Sequence, residues 1–88
     1  MVTLIQAFKM CNIGEEMVYI REYKEEPDRP WDRGHAIWSK KIRDRLDMKK
    51  IAVIKILPAF SYSGYEGFSF VVRGVDADVL RKLELSID

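Results

Sequence analysis

Residues 31–46, WDRGHAIWSKKIRDRL, are the stretch on which the fold turns. Trp31, His35, Trp38, Ile42 and Leu46 follow one another at intervals of four, three, four and four. That spacing predicts one apolar stripe along a long helix. Asp28 is placed to cap its start, and Pro30 suits its first turn. Gly34 costs about 1 kcal/mol relative to alanine inside a helix, which moves the firm start past it. Lys40, Arg43 and Lys50 fall away from the stripe. Lys41, Arg45 and Lys49 flank it, where long stems can lie along apolar surface.

Toward the N-terminus, Glu25 to Pro30 is a polar break with two prolines. Before it, residues 16–24, EMVYIREYK, alternate: Met17, Tyr19, Arg21 and Tyr23 against Val18, Ile20 and Glu22. Alternation predicts a strand, although Glu and Met also favour a helix over 15–26, and that alternative stays open. Residues 2–10, VTLIQAFKM, open with β-branched and apolar side chains and read as a strand. Asn12-Ile13-Gly14 is turn chemistry, so the two strands are expected to form a hairpin.

Toward the C-terminus, residues 51–57, IAVIKIL, form an almost continuous apolar run, as a central strand would. Residues 67–74, GFSFVVRG, set Phe68, Phe70 and Val72 against Ser69, Val71 and Arg73. Gly64 supplies a tight turn between them. Asp76 caps a short helix with Val79, Leu80 and Leu83 on one side. Leu85-Ser86-Ile87 reads as a last edge strand. The expected architecture is α+β in the order ββαββα: a four-stranded, mostly antiparallel sheet, one long helix packed on one face and a short C-terminal helix.

Eighty-eight residues make one domain, 1–88. A chain this short buries roughly 60–65% of its unfolded surface, so self-association as a homodimer would stabilise it. Apolar residues at 48% and charged residues at 33% are globular composition. No run approaches the ~20 apolar residues of a membrane span. The first eleven residues lack a basic start and a signal-peptide core, which points to a cytoplasmic protein and no membrane partner.

The chemistry available is thin. The single cysteine, Cys11, sits beside an apolar run and reads as a small hydrophobe. The single histidine, His35, lies on the tryptophan stripe, remote from Cys11, so nucleophilic catalysis has little material. No zinc spacing is present. Glu22-Tyr23-Lys24 has the carboxylate-x-lysine spacing of some metal-dependent nucleases, but the preceding strand offers no second acid. These absences predict a non-catalytic protein with no cofactor. Gly67-Phe68-Ser69-Phe70-Val71 resembles the aromatic strand of RNA-recognition domains over five residues. Glu66 stands where that strand has a base, and showing Phe68 and Phe70 to RNA would turn Arg73 into the core.

Two binding readings remain. Phe60, Tyr62 and Tyr65 crowd the turn between the last two strands, among small Ser and Gly residues. Aromatics of this kind dominate protein interfaces, which makes the loop a candidate protein-binding site for an inhibitor or adaptor. The alternative is that Phe60 and Tyr62 extend the core face, their even numbering matching Ala52, Ile54 and Ile56. The second reading starts from charge. Residues 15–28 carry six acids against two bases, and residues 29–50 carry eight bases against three acids. Lys40, Lys41, Arg43, Lys49 and Lys50 could therefore meet a nucleic-acid backbone.

Overall fold

Thr3 stands at the junction of two elements. In the computed structural model, which describes residues 1–27 and 32–86, Val2–Thr3 (β1) is a two-residue strand and Leu4–Met10 (α1) is a helix. The Thr3 side chain accepts from the Gln6 amide, and the Gln6 side chain accepts from the Thr3 amide at 2.9 Å. This reciprocal capping box starts the helix at once. Leu4, Ala7 and Phe8 then fall on one buried face. The strand expected over 2–10 is therefore a helix for seven of its residues, and the expected hairpin with 16–24 does not form.

The other elements are Met17–Glu22 (β2), His35–Trp38 (β3), Ser39–Arg45 (α2), Ala52–Ser61 (β4), Gly64–Arg73 (β5) and Ala77–Leu85 (α3). They build one five-stranded sheet, ordered β1-β4-β5-β2-β3, in place of the four strands expected. β2 runs parallel to β5, with Ile20 beside Phe70, and the other three pairings are antiparallel. β2 is a strand, as its alternation predicts.

The long helix is absent. Its first part is β3, paired with β2 through Trp38 and Met17, Ile37 and Val18, and His35 and Ile20. Gly34 explains the break. Its φ is +91°, and a Cβ there would meet the Ile20 carbonyl oxygen at 2.5 Å. Only glycine lets the backbones pass at that distance. β3 then alternates, burying Ile37 while Trp38 is half exposed. Trp38 thus leaves the stripe that Ile42 keeps. Trp31, the Asp28 cap and Pro30 lie outside the described residues.

Asp76 caps α3 by accepting from the Val79 amide at 3.1 Å, as its sequence implies. The expected tail strand is not one: Leu85 ends α3 and Ser86 caps it, while Ile87 lies outside the described residues. The core gathers Leu4, Phe8, Val18, Ile20, Ile37, Ile42, Phe70, Val72, Leu80 and Leu83 between the helices and one sheet face. Phe70 and Val72 are fully buried while Arg73 is exposed, its guanidinium over the Tyr23 ring. Phe70 and Val72 thus face the core, with Phe68 partly buried against it. Among the described residues no helix is long and apolar enough to cross a membrane.

Candidate functional site

β4 and β5 are ten residues each, but their neighbours are shorter. β1 reaches only Ala52 and Val53, and β2 only Ser69 to Val72. From Pro58 to Phe68 the two strands pair with each other alone among the described residues. The hairpin therefore extends past the sheet that supports it.

Its tip is built by local chemistry. Ser61 pairs with Gly64 around Tyr62 and Ser63, and the Ser61 hydroxyl accepts from the Ser63 amide at 3.2 Å. Gly64 takes φ of +111°, which L side chains rarely adopt. The register shifts between Ala59 and Phe60, so that Phe60 faces Tyr65. Phe60 is 50% exposed, Tyr65 58%, and Tyr62 fully exposed. All three residues expected from the sequence lie at one end of the molecule.

The aromatics form a continuous series. Phe60 meets Tyr65 edge-on at 6.1 Å, and Tyr65 meets Phe68 edge-on at 6.2 Å. Phe68 lies 6.3 Å from Phe70, and Phe70 lies 5.3 Å from Phe8 of α1. Edge-to-face pairs at such spacings are favourable beyond simple burial. Phe60 and Tyr65 thus continue the core face of the hairpin, past the point where it is covered. Phe60 thus extends the core face as the alternative had it, but Tyr62, assigned to that face by its even number, stands fully exposed in the turn. The stretch from Ile56 to Tyr65 also contains no charged residue.

A polar cluster braces the outer half of the hairpin from the other sheet face. The Arg33 guanidinium lies 4.9 Å over the Tyr19 ring and donates to Glu66 at 2.9 Å and to the Phe60 carbonyl at 3.1 Å. The Tyr19 hydroxyl donates to the same Glu66 oxygen at 2.7 Å. The Ser69 hydroxyl donates to the Arg33 carbonyl at 2.7 Å. The hydroxyls of Ser61 and Tyr19, and then the Arg33 charge, hold the Glu66 carboxyl below its ordinary value. Burial, and then the bond to Glu66, raises the Tyr19 phenol. Sequence reasoning missed this cluster. Its members are 33 and 47 residues apart, and no local pattern marks them.

The five basic residues do not form one patch; four of them divide between two concavities. Lys41 Nζ donates to the Leu83 and Ser86 carbonyls at the end of α3. Arg43 donates to the Ile13 and Gly14 carbonyls at 2.7 and 2.6 Å and lies over the Phe8 ring. Both spend their donors within the protein. Lys40 and Lys41 line a concavity with Trp38, Arg43 and Lys49 line a different groove, and Lys50 approaches Asp47 at 3.9 Å.

His35 meets Glu84 at 3.1 Å, and Glu84 also accepts from the Ala36 amide. Cys11 is half-buried, its thiol pushed up by burial and then by Glu16. Among the described residues no three His, Cys, Asp or Glu side chains are grouped to hold a metal ion. Comparison with protein-family models, with curated proteins and with solved structures finds no match, so the reading of the site rests on its own geometry.

Proposed function

We propose that this domain is a non-catalytic protein-binding module, acting as an inhibitor or adaptor, and that the β4–β5 tip is its contact surface. One observation carries the reading: Phe60, Tyr62 and Tyr65 are all at least half exposed on a hairpin that extends beyond its sheet. Exposed aromatics of this density cost solubility unless something covers them. Tyr and other aromatics are also the side chains that anchor protein interfaces. The aromatic series and the Arg33 bonds fix the tip before it meets a partner, which lowers the entropy lost on binding. The partner surface that fits is an apolar, uncharged recess, since Ile56 to Tyr65 present no charge.

The test is site-specific crosslinking followed by titration. A photoreactive phenylalanine analogue at position 62 captures a partner from cell extract. The purified partner then binds the wild-type protein with affinity that changes by no more than about twofold between low and physiological salt, as contact without ion pairs requires. Tyr62→Ala with Tyr65→Ala abolishes binding while the fold, followed by circular dichroism, is kept. A purified partner that binds this double variant unchanged removes the tip as the site.

The alternative of a nucleic-acid site on Lys40, Lys41, Arg43, Lys49 and Lys50 has weaker support, since two of the five donors are committed internally. Anisotropy titration with labelled duplex DNA, single-stranded DNA and RNA tests it. Phosphate binding must weaken steeply as salt rises.

A further inference from the structure

A groove of about 920 Å³ lies between α1 and the turn that follows α2, away from the hairpin tip. Its walls include Ile5, Phe8, Leu46 and Met48. Ile5 and Leu46 are only partly buried and offer their side chains to the opening. The volume is that of a small-molecule site, and an apolar lining with a few polar groups is its usual construction.

The rim is cationic. Lys9, Arg43 and Lys49 border the groove against one acid, Asp47. Asp47 is already engaged: it accepts from the Lys49 amide at 3.2 Å, and Lys50 lies 3.9 Å away. Arg43 has turned its donors to the Ile13 and Gly14 carbonyls, but its charge remains at the groove. Among the described residues, neither the Lys9 nor the Lys49 ammonium has a carboxylate within ion-pair distance. The chain as a whole carries a net charge of only +1, so this excess is local.

We propose that the groove binds a small amphipathic anion: an unbranched apolar body against Ile5 and Leu46, with a carboxylate head between Lys9 and Lys49. Each half of the occupant follows from one half of the site. An apolar ligand without charge leaves both ammoniums uncompensated. A cationic amphiphile meets repulsion at the rim. A bare phosphate backbone leaves the apolar walls in water. The uncharged hairpin tip of a second copy supplies nothing for the lysines.

The experiment is isothermal titration of the full chain with dodecanoate below its micelle concentration. Dodecyltrimethylammonium and a neutral dodecyl glycoside serve as chain-matched controls. The expected result is saturable 1:1 binding of dodecanoate, with both controls at least about tenfold weaker, the scale set by one or two partly desolvated charge pairs. Lys9→Gln with Lys49→Gln, both exposed positions whose ammoniums have no bond to lose among the described residues, brings dodecanoate down to the level of the glycoside. Tyr62→Ala with Tyr65→Ala leaves it unchanged, which separates this site from the tip. No binding of dodecanoate, equal binding of the ammonium control, or full binding by the double lysine variant each overturns the proposal.

Discussion

Within the β4–β5 ladder, Ile56 faces Phe70, and four residues further out Phe60 faces Tyr65. Both pairs join large apolar side chains across the same antiparallel strands. Their fates differ because their cover differs. Phe70 lies under Phe8 of α1 and is fully buried. Phe60 and Tyr65 have passed the edge of that cover and are half in water. A strand's own pattern decides which side chains share a face. Whether that face is covered is decided by elements far away in sequence. One aromatic series thus serves stability at one end and, by the proposed reading, recognition at the other.

The sharpest way to break the comparison is to truncate each end of the series. Phe70→Ala removes the ring that Phe8 and Phe68 both touch, and is expected to cost about 3–5 kcal/mol, as buried aromatic truncations do. On a domain this small that leaves little folded protein, read as a loss of the cooperative thermal transition. Gly34→Ala comes next. It places a Cβ against the Ile20 carbonyl at a residue with positive φ. About 2–4 kcal/mol is expected, with β3 released from β2 before the β4–β5 ladder opens. Amide exchange checks the order. Equal protection loss in both regions would mean that β3 and the hairpin are one cooperative unit.

The same contrast explains what the sequence could and could not convey. β5 was legible because Phe68, Phe70 and Val72 alternate with Ser69, Val71 and Arg73, and its turn because Gly64 suits one. Asp76 marked α3 for the same reason: capping is local chemistry. Thr3-Leu4-Ile5-Gln6 carried an equally local signal, but the β-branched and apolar opening at Val2 outweighed the capping box. The 31–46 stretch misled differently. His35, Trp38 and Ile42 fit a helical period by coincidence, while the close passage of Gly34 against Ile20 that marks the extended chain is a long-range contact no local pattern shows. The three tip aromatics were visible as residues. Their exposure was not, because it depends on β1 and β2 being too short to flank the hairpin. The Arg33, Tyr19 and Glu66 cluster had no local signal at all.

That cluster gives a prediction of intermediate size, bounded by pH on both sides. The Glu66 carboxyl is held below its ordinary value in the folded state, so its contribution is present above the unfolded value near 4.5 and fades as pH falls through the lower folded value. The Tyr19 phenol is raised above its ordinary value of 10.0, so its contribution is complete below pH 10 and fades as pH rises through the folded value. Glu66→Gln should flatten the acid limb of the stability profile, and Tyr19→Phe the alkaline limb. Neither should displace Phe70. If Glu66→Gln leaves the acid limb unchanged, other carboxylates govern it and the cluster does not brace the outer hairpin.

The smallest expected effect is the most informative. Tyr62 is fully exposed at the turn, and among the described residues no hydrogen bond or ring contact holds its side chain. Its removal should therefore change stability by no more than about 0.5 kcal/mol. Ser61 and Gly64, not Tyr62, shape the turn, so the hairpin keeps its register. A measured loss well above that value would show that the ring folds back onto Phe60 or Tyr65 in solution. The tip would then be a closed aromatic cluster, and the contrast between the two ends of the series would shrink. A loss near zero leaves the ring with no structural duty. Together with abolished partner binding in the Tyr62→Ala, Tyr65→Ala variant, that outcome would separate the recognition end of the ladder from the folding end.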